Sequence, residues 1–158
     1  MKKMWAPWRN VFVYNRKIKG CIFCKAAKSK DDKKHFVVER GNFCFSILNI
    51  YPYNNGHIMI APYAHKSTLL DLTESELREL MSLAKNSMRR TEKLLKPQGY
   101  NIGFNIGKVA GAGFAGHVHM HIVPRWLGDT NFMPVITHTK VMSESLDSLY
   151  RRLKGVKV

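Results

Sequence analysis

The sequence predicts an α+β fold in which a mainly antiparallel five-stranded sheet is combined with one long helix and a short C-terminal helix. Three strand-like segments come first, one long amphipathic segment follows, and two more strand-like segments come after it. Strands that occur in runs, instead of alternating with helices, favour an antiparallel sheet. At 158 residues the chain is expected to be one domain, residues 1–158, in which residues 1–35 form a basic N-terminal arm.

The first three strands are predicted from residue type and turn signals. Phe36–Glu39 and Phe43–Leu48 are rich in β-branched and aromatic residues, and the Arg-Gly-Asn sequence between them is typical of a hairpin turn. A second turn signal, PYNNG, occupies residues 52–56, and GHIMIAP at residues 56–62 is predicted to be the third strand.

The long helix is predicted to begin at a capping box, Thr73 with Glu76, and to end at Pro97 and Gly99. Apolar side chains at three- and four-residue spacing indicate one buried face. The predicted members of that face are Leu77, Leu80, Met81, Ala84, Met88, Thr91 and Leu95.

The remaining elements lie after this helix. Tyr100–Ile106 is predicted to be the fourth strand, a glycine-rich loop follows, and HVHMHIVP at residues 117–124 is predicted to be the fifth. The leucine spacing of Ser143–Lys154 is typical of a short amphipathic helix.

Composition bears on the cellular setting. Apolar residues make up 45% of the chain, yet none of their runs approaches the roughly 20 residues that a membrane-spanning helix needs. The first ten residues lack the apolar core of a signal peptide. Three cysteines are an odd number, which argues against a disulfide framework. We therefore expect a cytoplasmic protein with no membrane partner.

The net charge of +15 is concentrated near the start of the chain, where residues 1–40 hold twelve basic and three acidic residues. A basic excess attracts polyanions such as nucleic acids and nucleotides. A lysine-rich solvated surface explains the same charge equally well. Nucleic acid is therefore an alternative partner that the sequence does not favour, because no additional binding domain accompanies the charge.

The glycine-rich loop contains GAGFAG at residues 111–116, which matches the dinucleotide fingerprint G-x-G-x-x-G. That motif requires a helix to follow it, because the helix N-terminus holds the pyrophosphate. A strand is predicted here instead, so a Rossmann site is excluded. Backbone N–H groups of such a loop can still converge on an anion, and the histidines that follow favour this interpretation over a merely flexible hairpin loop.

Three histidines alternate in the fifth strand. Residues i, i+2 and i+4 of a strand share a face, so His117, His119 and His121 are expected about 6.6 Å apart, with the intervening apolar residues in the core. Such a row is suited to a metal site or to nucleophilic chemistry by a neutral imidazole. Both interpretations stay open on the residues alone.

Cys21 and Cys24 form a C-x-x-C pair, which supplies half of a tetrahedral zinc site. The alternative is a redox pair, but the thioredoxin-like βαβ pattern that accompanies such pairs is missing around it.

Taken together, these motifs resemble the histidine triad (HIT) superfamily of nucleotide hydrolases and transferases. HVHMHIVP matches His-φ-His-φ-His-φ-φ, where φ is apolar, and NIYPYNNGH and HKSTLLDLTESELRELM are similar to the nucleotide-binding turn and the helix that follows it. MWAPWR, CIFC, GFNIG…AGAG and PRW…GDTNFMP are similar to a prokaryotic branch of diadenosine tetraphosphate phosphorylases and dinucleoside polyphosphate hydrolases. The resemblance implies a HIT-like fold over nearly the whole chain.

The resemblance also implies catalytic roles. In the family the middle histidine, here His119, attacks the α-phosphate and forms a nucleotidyl-histidine intermediate. His121 is implied to assist, and Asn105 matches the amide residue near the bridging oxygen.

Further residues are implied to contact the nucleotide. Asn49 matches the ribose-binding residue. Ile50 is implied to lie against the base, with plain core packing as the alternative, and Lys108 to extend toward the outer phosphates, with a solvated loop lysine as the alternative. Backbone N–H groups from Gly113 to Ala115 are implied to stabilise charge on phosphorus. Phe114 departs from the small hydrolases of the family, which carry Ser or Thr there, so the contact with the leaving group is expected to differ.

For the metal, the resemblance implies a closed, structural Cys2His2 zinc site made of Cys21, Cys24, His57 and His117. His65 or His35 remains an alternative fourth ligand.

The function implied by the resemblance is nucleotidyl transfer or hydrolysis on dinucleoside polyphosphates, with diadenosine tetraphosphate phosphorylase (ATP adenylyltransferase) as the leading expectation. The alternatives are a dinucleoside polyphosphate hydrolase, a deadenylating hydrolase of another adenylylated substrate, and a non-catalytic nucleotide-binding module. A homodimer is also expected, with Tyr100–Ile106 and residues 73–95 at its contact.

Overall fold

The computed structural model describes residues 20–130 and 141–158 of the chain. Four α-helices are described: α1 (Ile22–Lys28), α2 (Asp32–His35), α3 (Glu74–Leu95) and α4 (Leu146–Gly155). The strands are β1 (Val37–Arg40), β2 (Cys44–Leu48), β3 (Ile58–Pro62), β4 (Gly99–Phe104) and β5 (Met120–Arg125), and a short 3-10 helix spans Leu69–Asp71. The predicted α+β class and five-stranded sheet are confirmed.

The five strands form one antiparallel sheet in the order β1-β2-β3-β5-β4. In the central pair, Ile58 lies opposite Ile122 and Met59 lies opposite His121. Because the two strands run in opposite directions, the residues before β3 lie near the end of β5, and the residues after β3 lie near its start. This register determines which histidines meet in the site.

Both faces of the sheet are covered. Ile58, Ile60 and Ile122 belong to a core shared with α3 and α4. Met59 belongs to a second core, in which Phe23 of α1 packs against the opposite face. Directly opposed residues of an antiparallel pair project to the same side, so His121, opposite Met59, belongs to the α1 face.

Helix α3 begins as predicted. The Thr73 side chain accepts from the backbone of Glu76, and the Glu76 carboxylate accepts from the backbone of Thr73. The helix ends at Leu95, before Lys96 adopts the left-handed conformation that stops it.

The buried face of α3 differs in part from the prediction. Leu77 and Met81 are exposed, and the buried residues are Glu76, Leu80, Leu83, Ala84, Ser87 and Thr91. Glu76 belongs to this face because its carboxylate accepts from the backbone of Thr73 and pairs with Lys66.

The described part of the basic N-terminal arm contains the two short helices α1 and α2. Cys21 is the N-cap of α1, and its sulfur accepts from the backbone N–H of Cys24 over 3.4 Å. Phe23 and Ala26 of this helix are completely buried. Helix α1 therefore covers the histidine face of the sheet. The MWAPWR segment, which contributed to the family resemblance, lies outside the described residues.

No helix within residues 20–130 and 141–158 combines the length and apolar character needed to cross a bilayer.

Candidate functional site

A cavity of about 370 Å³ lies on the α1 face of the sheet, and we call it the histidine cavity. His119 and His121 form one part of its wall. Residues of α1, of the loop after β2 and of the glycine-rich loop line the cavity with them. The other lining residues are Gly20, Ile22, Phe23, Asn49, Ile50, Tyr51, Tyr53, Met59, Gly111, Gly113 and Phe114.

The ring of His119 is held in one protonation form by the backbone. Its Nδ1 lies 2.8 Å from the carbonyl oxygen of His117, and a carbonyl oxygen only accepts. Nδ1 therefore carries the proton of the neutral ring, and Nε2 keeps a free lone pair. Burial lowers the pKa of His119, which favours this neutral form. The ring of Phe23 packs against it with a centroid separation of 4.6 Å. His119 therefore has the form that a nitrogen nucleophile needs.

His121 pairs with a histidine from the other central strand. His57 Nε2 lies 2.9 Å from His121 Nδ1, and both residues are buried. Burial, with a smaller contribution from neighbouring histidines, lowers the pKa of His57 to about 3 and that of His121 to about 4. Because both rings are neutral, one of the two facing nitrogens carries a proton and donates it, and the other accepts.

The predicted substrate residues surround these rings. Asn105 follows β4, and its amide Nδ2 lies 3.5 Å from Nε2 of His121. Asn49 lies between β2 and the turn; its Oδ1 accepts from the backbone N–H of Tyr51 over 2.9 Å. Both Asn49 and Ile50 line the histidine cavity.

The glycine-rich loop contributes part of what was predicted. Gly113 and Phe114 line the cavity, and Phe114 also packs against the core beneath α1. Gly107 and Gly111 have positive φ angles of 83° and 87°, which a side chain would strain, so these turns depend on glycine. Lys108 is exposed and lies outside the cavity lining. Ala115 is also absent from that lining.

A second group of side chains lies next to the cavity. The sulfur and Nδ1 atoms of Cys21, Cys24, His65 and His117 all lie within 4.8 Å of one another. Cys21 Sγ is 3.3 Å from His117 Nδ1, and Cys24 Sγ is 3.1 Å from His65 Nδ1. The Nε2 of His117 is 2.9 Å from the carbonyl oxygen of Pro62, so Nε2 carries the proton and Nδ1 faces the sulfurs with its lone pair.

The chemistry of this Cys-His cluster fits a tetrahedral metal ion. Tetrahedral zinc bound by sulfur and nitrogen requires ligand atoms roughly 3.3–3.8 Å apart. A ring whose other nitrogen donates to a carbonyl is the usual orientation of a histidine ligand. Burial raises the pKa of the Cys21 thiol, a cost that a divalent cation offsets by stabilising the thiolate.

The position of His57 differs from the expectation that it joins the cysteines. His57 immediately precedes β3 and meets the end of β5, whereas His117 precedes β5 and meets the end of β3. His65 follows β3 and is therefore on the same side as His117, and the backbone N–H of Val118 donates to the carbonyl of Lys66 next to it. The structure thus places His65, the sequence alternative, in the Cys-His cluster. His35, the other alternative, lies in α2.

The model of the HIT domain family matches residues 30–126, more than half of the chain. The chain belongs to the HIT family. Over 161 aligned residues it is 35% identical to an AP-4-A phosphorylase of Mycobacterium tuberculosis, covering 97% of this chain and 83% of that protein. It is also 34% identical over 106 residues to an adenosine 5'-monophosphoramidase of Saccharomyces cerevisiae, covering 67% of this chain and 63% of that protein.

Solved structures agree with this HIT assignment. A zinc-bound histidine triad family protein from Mycobacterium smegmatis superposes with a TM-score of 0.67 at 24% identity, covering 85% of this chain and 91% of that chain. A hypothetical histidine triad nucleotide-binding protein from Sulfolobus tokodaii superposes with a TM-score of 0.68 at 25% identity, covering 85% and 89%. The fold of this chain is the α+β HIT fold, as the resemblance implied.

Proposed function

We propose that this HIT protein transfers nucleotidyl groups from dinucleoside polyphosphates through His119, with diadenosine tetraphosphate as substrate and inorganic phosphate as acceptor. The observation that carries the proposal is the 2.8 Å contact between His119 Nδ1 and the His117 carbonyl, which leaves Nε2 as a free nucleophile in a cavity-lining ring. The 35% identity to an AP-4-A phosphorylase over 97% of the chain supports the choice of substrate.

The first step joins His119 Nε2 to the α-phosphorus and breaks its bond to the bridging oxygen. That oxygen takes the bonding electron pair and leaves as ATP, while AMP stays on His119. In the second step a phosphate oxygen attacks the same phosphorus, the P–N bond returns its electrons to Nε2, and ADP leaves. Neutral imidazole needs no base to begin this sequence.

The other predicted residues take supporting roles. Asn49 binds the ribose, and Ile50 packs against the base. Asn105 and His121 contact the phosphate, and backbone N–H groups from Gly113 to Ala115 stabilise its developing charge. Lys108 interacts with the outer phosphates from its exposed position.

We also propose that Cys21, Cys24, His65 and His117 hold a structural zinc ion. A closed set of four ligands leaves no open position for substrate, and the ion supplies stability and not chemistry. Its ligands come from the end of the arm, from the segment after β3, and from the segment before β5. They therefore fix α1 against the sheet next to His119.

A homodimer is part of the proposal. β4 is an edge strand of the sheet, and Ile102 on it is 46% exposed. No strand within residues 20–130 and 141–158 pairs with the outer side of β4, and such an edge is a ready surface for association with another chain. Met81 of α3 presents a further exposed apolar side chain. Two copies joined at β4 and α3 cover these residues. Sedimentation of the native protein beside Ile102→Lys tests this: we expect a dimer that the substitution dissociates, and a native monomer contradicts it.

The deciding experiment is product analysis with diadenosine tetraphosphate, with and without phosphate, beside His119→Ala. Formation of ADP and ATP only in the presence of phosphate, and no products from His119→Ala, supports a phosphorylase. AMP and ATP regardless of phosphate indicate a hydrolase.

A second candidate is hydrolysis of another adenylylated compound, which the 34% identity to an adenosine 5'-monophosphoramidase favours. Adenosine 5'-phosphoramidate is included as a substrate for that reason. Binding of AMP without turnover of any of these compounds leaves a nucleotide-binding module.

A further inference from the structure

His57 lies beneath His121 and is outside the Cys-His cluster. It is completely buried, and its ring contacts Tyr53, with a centroid separation of 4.6 Å, and His121, at 5.1 Å. Its two ring nitrogens have different partners. Nε2 faces His121, whereas Nδ1 faces the backbone N–H of Tyr53 over 3.0 Å.

The Tyr53 contact sets the direction of the whole series of hydrogen bonds. A backbone N–H only donates, so His57 Nδ1 accepts, and the proton of the neutral ring lies on Nε2. The amide Nδ2 of Asn49, 3.3 Å from the same Nδ1, is a second donor to that lone pair. His57 Nε2–H then donates to His121 Nδ1 over 2.9 Å. His121, also neutral, must carry its own proton on Nε2.

If His121 Nδ1 instead donated to His57 Nε2, the lone pair of His121 would lie on Nε2, and Asn105 Nδ2 would have to donate to it. That contact is 3.5 Å long, against 2.9 Å and 3.0 Å for the two contacts of His57. This arrangement also requires a proton on His57 Nδ1, which would then face the N–H of Tyr53. An asparagine amide exchanges its oxygen and nitrogen by rotation, whereas a backbone N–H cannot change roles. The backbone therefore decides the direction, which implies that the Asn105 amide is rotated so that its oxygen faces His121 Nε2. At 3.5 Å this contact is too long to withhold the Nε2–H from a phosphate oxygen.

We propose that His57 is a positioning residue: with the Tyr53 backbone, it fixes His121 as an Nε2–H donor aimed into the histidine cavity. His121 is thereby a standing hydrogen-bond donor to a non-bridging oxygen of the phosphate that His119 attacks. The consequence for catalysis rests on the proposed function, but the tautomer of His121 does not.

The same backbone logic gives the two cavity histidines opposite forms. His119 is protonated on Nδ1 and presents a lone pair, whereas His121 is protonated on Nε2 and presents a donor. A phosphoryl group between them meets a nucleophile at phosphorus and a donor at oxygen. Two rings with identical tautomers would supply two nucleophiles or two donors.

The test is nitrogen NMR of the full-length, zinc-loaded protein labelled with ¹⁵N-histidine near neutral pH. In long-range ¹H–¹⁵N correlations the protonated and unprotonated ring nitrogens resonate far apart, so each tautomer is read directly. The signals of His121 are assigned by their loss in His121→Gln. We expect His57 and His121 to be protonated on Nε2 in the native protein. Protonation of His121 on Nδ1 overturns the proposal.

Two substitutions extend the test. His57→Gln places an amide donor near the position of Nε2 and should preserve the His121 tautomer and most of kcat. His57→Leu removes the donor at similar volume; His121 should then populate both tautomers, and kcat should fall at least about tenfold with little change in KM. An unchanged His121 tautomer in His57→Leu overturns the proposal.

His35→Gln, in α2 outside the cavity, is the matched control and should leave both readouts unchanged. Thermal unfolding confirms that each variant is folded, and if His57→Leu is not, the native and His57→Gln spectra still decide. Absence of turnover by the native protein rejects the proposed function, while the spectra continue to test the role of His57.

Discussion

His119 donates from Nδ1 to the carbonyl oxygen of His117 over 2.8 Å, while the ring of His117 faces the cysteine pair. A single residue thus contributes its side chain to the Cys-His cluster and its backbone to the nucleophile. A displacement of His117 that includes its backbone moves the carbonyl that sets the orientation of His119. The cluster and the reaction are therefore expected to fail together.

If Cys24 is a ligand of the proposed zinc ion, its replacement with alanine should release that ion and lower both the melting temperature and turnover. Closed structural sites contribute directly to folding energy, so a loss of several kcal/mol, about 3 or more, is expected. Metal content by mass spectrometry and thermal unfolding check this. Cys44→Ala is the matched control, because Cys44 is buried in the core shared with α3 and should leave the metal content unchanged. Full zinc content in Cys24→Ala contradicts the assignment.

Stability should fall as the pH is lowered below about 6.5. Burial holds the pKa of His57 at about 3 and that of His121 at about 4. Between these values and the ordinary histidine range, the unfolded chain binds protons that the folded protein does not. Each group then reduces the free energy of unfolding by at most about 1.4 kcal/mol per pH unit.

Urea unfolding at several pH values from about 7 to about 5 measures this slope. His57→Gln, which cannot titrate, should reduce the slope by about one proton. Equal slopes for the native protein and His57→Gln would show that His57 does not contribute.

The hairpin between β1 and β2 should depend on Glu79 of α3. Its carboxylate accepts from the backbone N–H groups of Asn42, Phe43 and Cys44 at 2.8, 2.6 and 2.6 Å. Glu79→Gln replaces one oxygen with a donor and removes the charge, which should cost about 2 kcal/mol of unfolding free energy.

The control for this substitution is Glu74→Gln, whose exposed pair with Arg78 is worth roughly 0.5 kcal/mol or less. Chemical denaturation compares the two, and the catalytic rate of the folded protein should not change. Similar destabilisation by both substitutions would contradict the role of Glu79.

Phe114 should govern whether water or phosphate reaches the proposed nucleotidyl-histidine intermediate. Its ring lines the histidine cavity beside His119 and packs against the core beneath α1. Phe114→Ser opens the cavity to water, so the share of AMP among the products should rise several-fold relative to ADP. Val109→Ser, in the same loop but fully exposed, should leave the product ratio unchanged. An unchanged ratio in Phe114→Ser means that its ring does not control the access of water.

Features that depend on neighbouring residues could be predicted from the sequence. The capping box of Thr73 and Glu76 lies within one turn, and it located the start of α3 correctly. The hairpin between β1 and β2 was also predicted, because its turn residues are local. By contrast, Ile58 to Ala61 are apolar without interruption, since both faces of β3 are covered. Such a run predicts a strand but does not say which side chains face the site.

The fourth member of the Cys-His cluster depends on the pairing of two strands far apart in sequence. His57 and His65 flank β3, and only the antiparallel register with β5 decides which of them reaches His117. That register places the two histidines at opposite ends of the pair. In an antiparallel pair, the segment that follows one strand lies next to the segment that precedes the other. If β3 and β5 had been assumed to pair in this way, His65, which follows β3, would have been expected near His117, which precedes β5.

The register of β3 against β5 determines both histidine contacts at once. A slip of β3 against β5 by two residues would preserve the inward and outward faces of both strands and remain compatible with their apolar cores. It would, however, separate His57 from His121 and His65 from His117 at the same time. A misaligned chain would thus lose the proposed zinc ligands and the proposed reactive histidines in one event, so we expect zinc binding to report correct folding of the whole site.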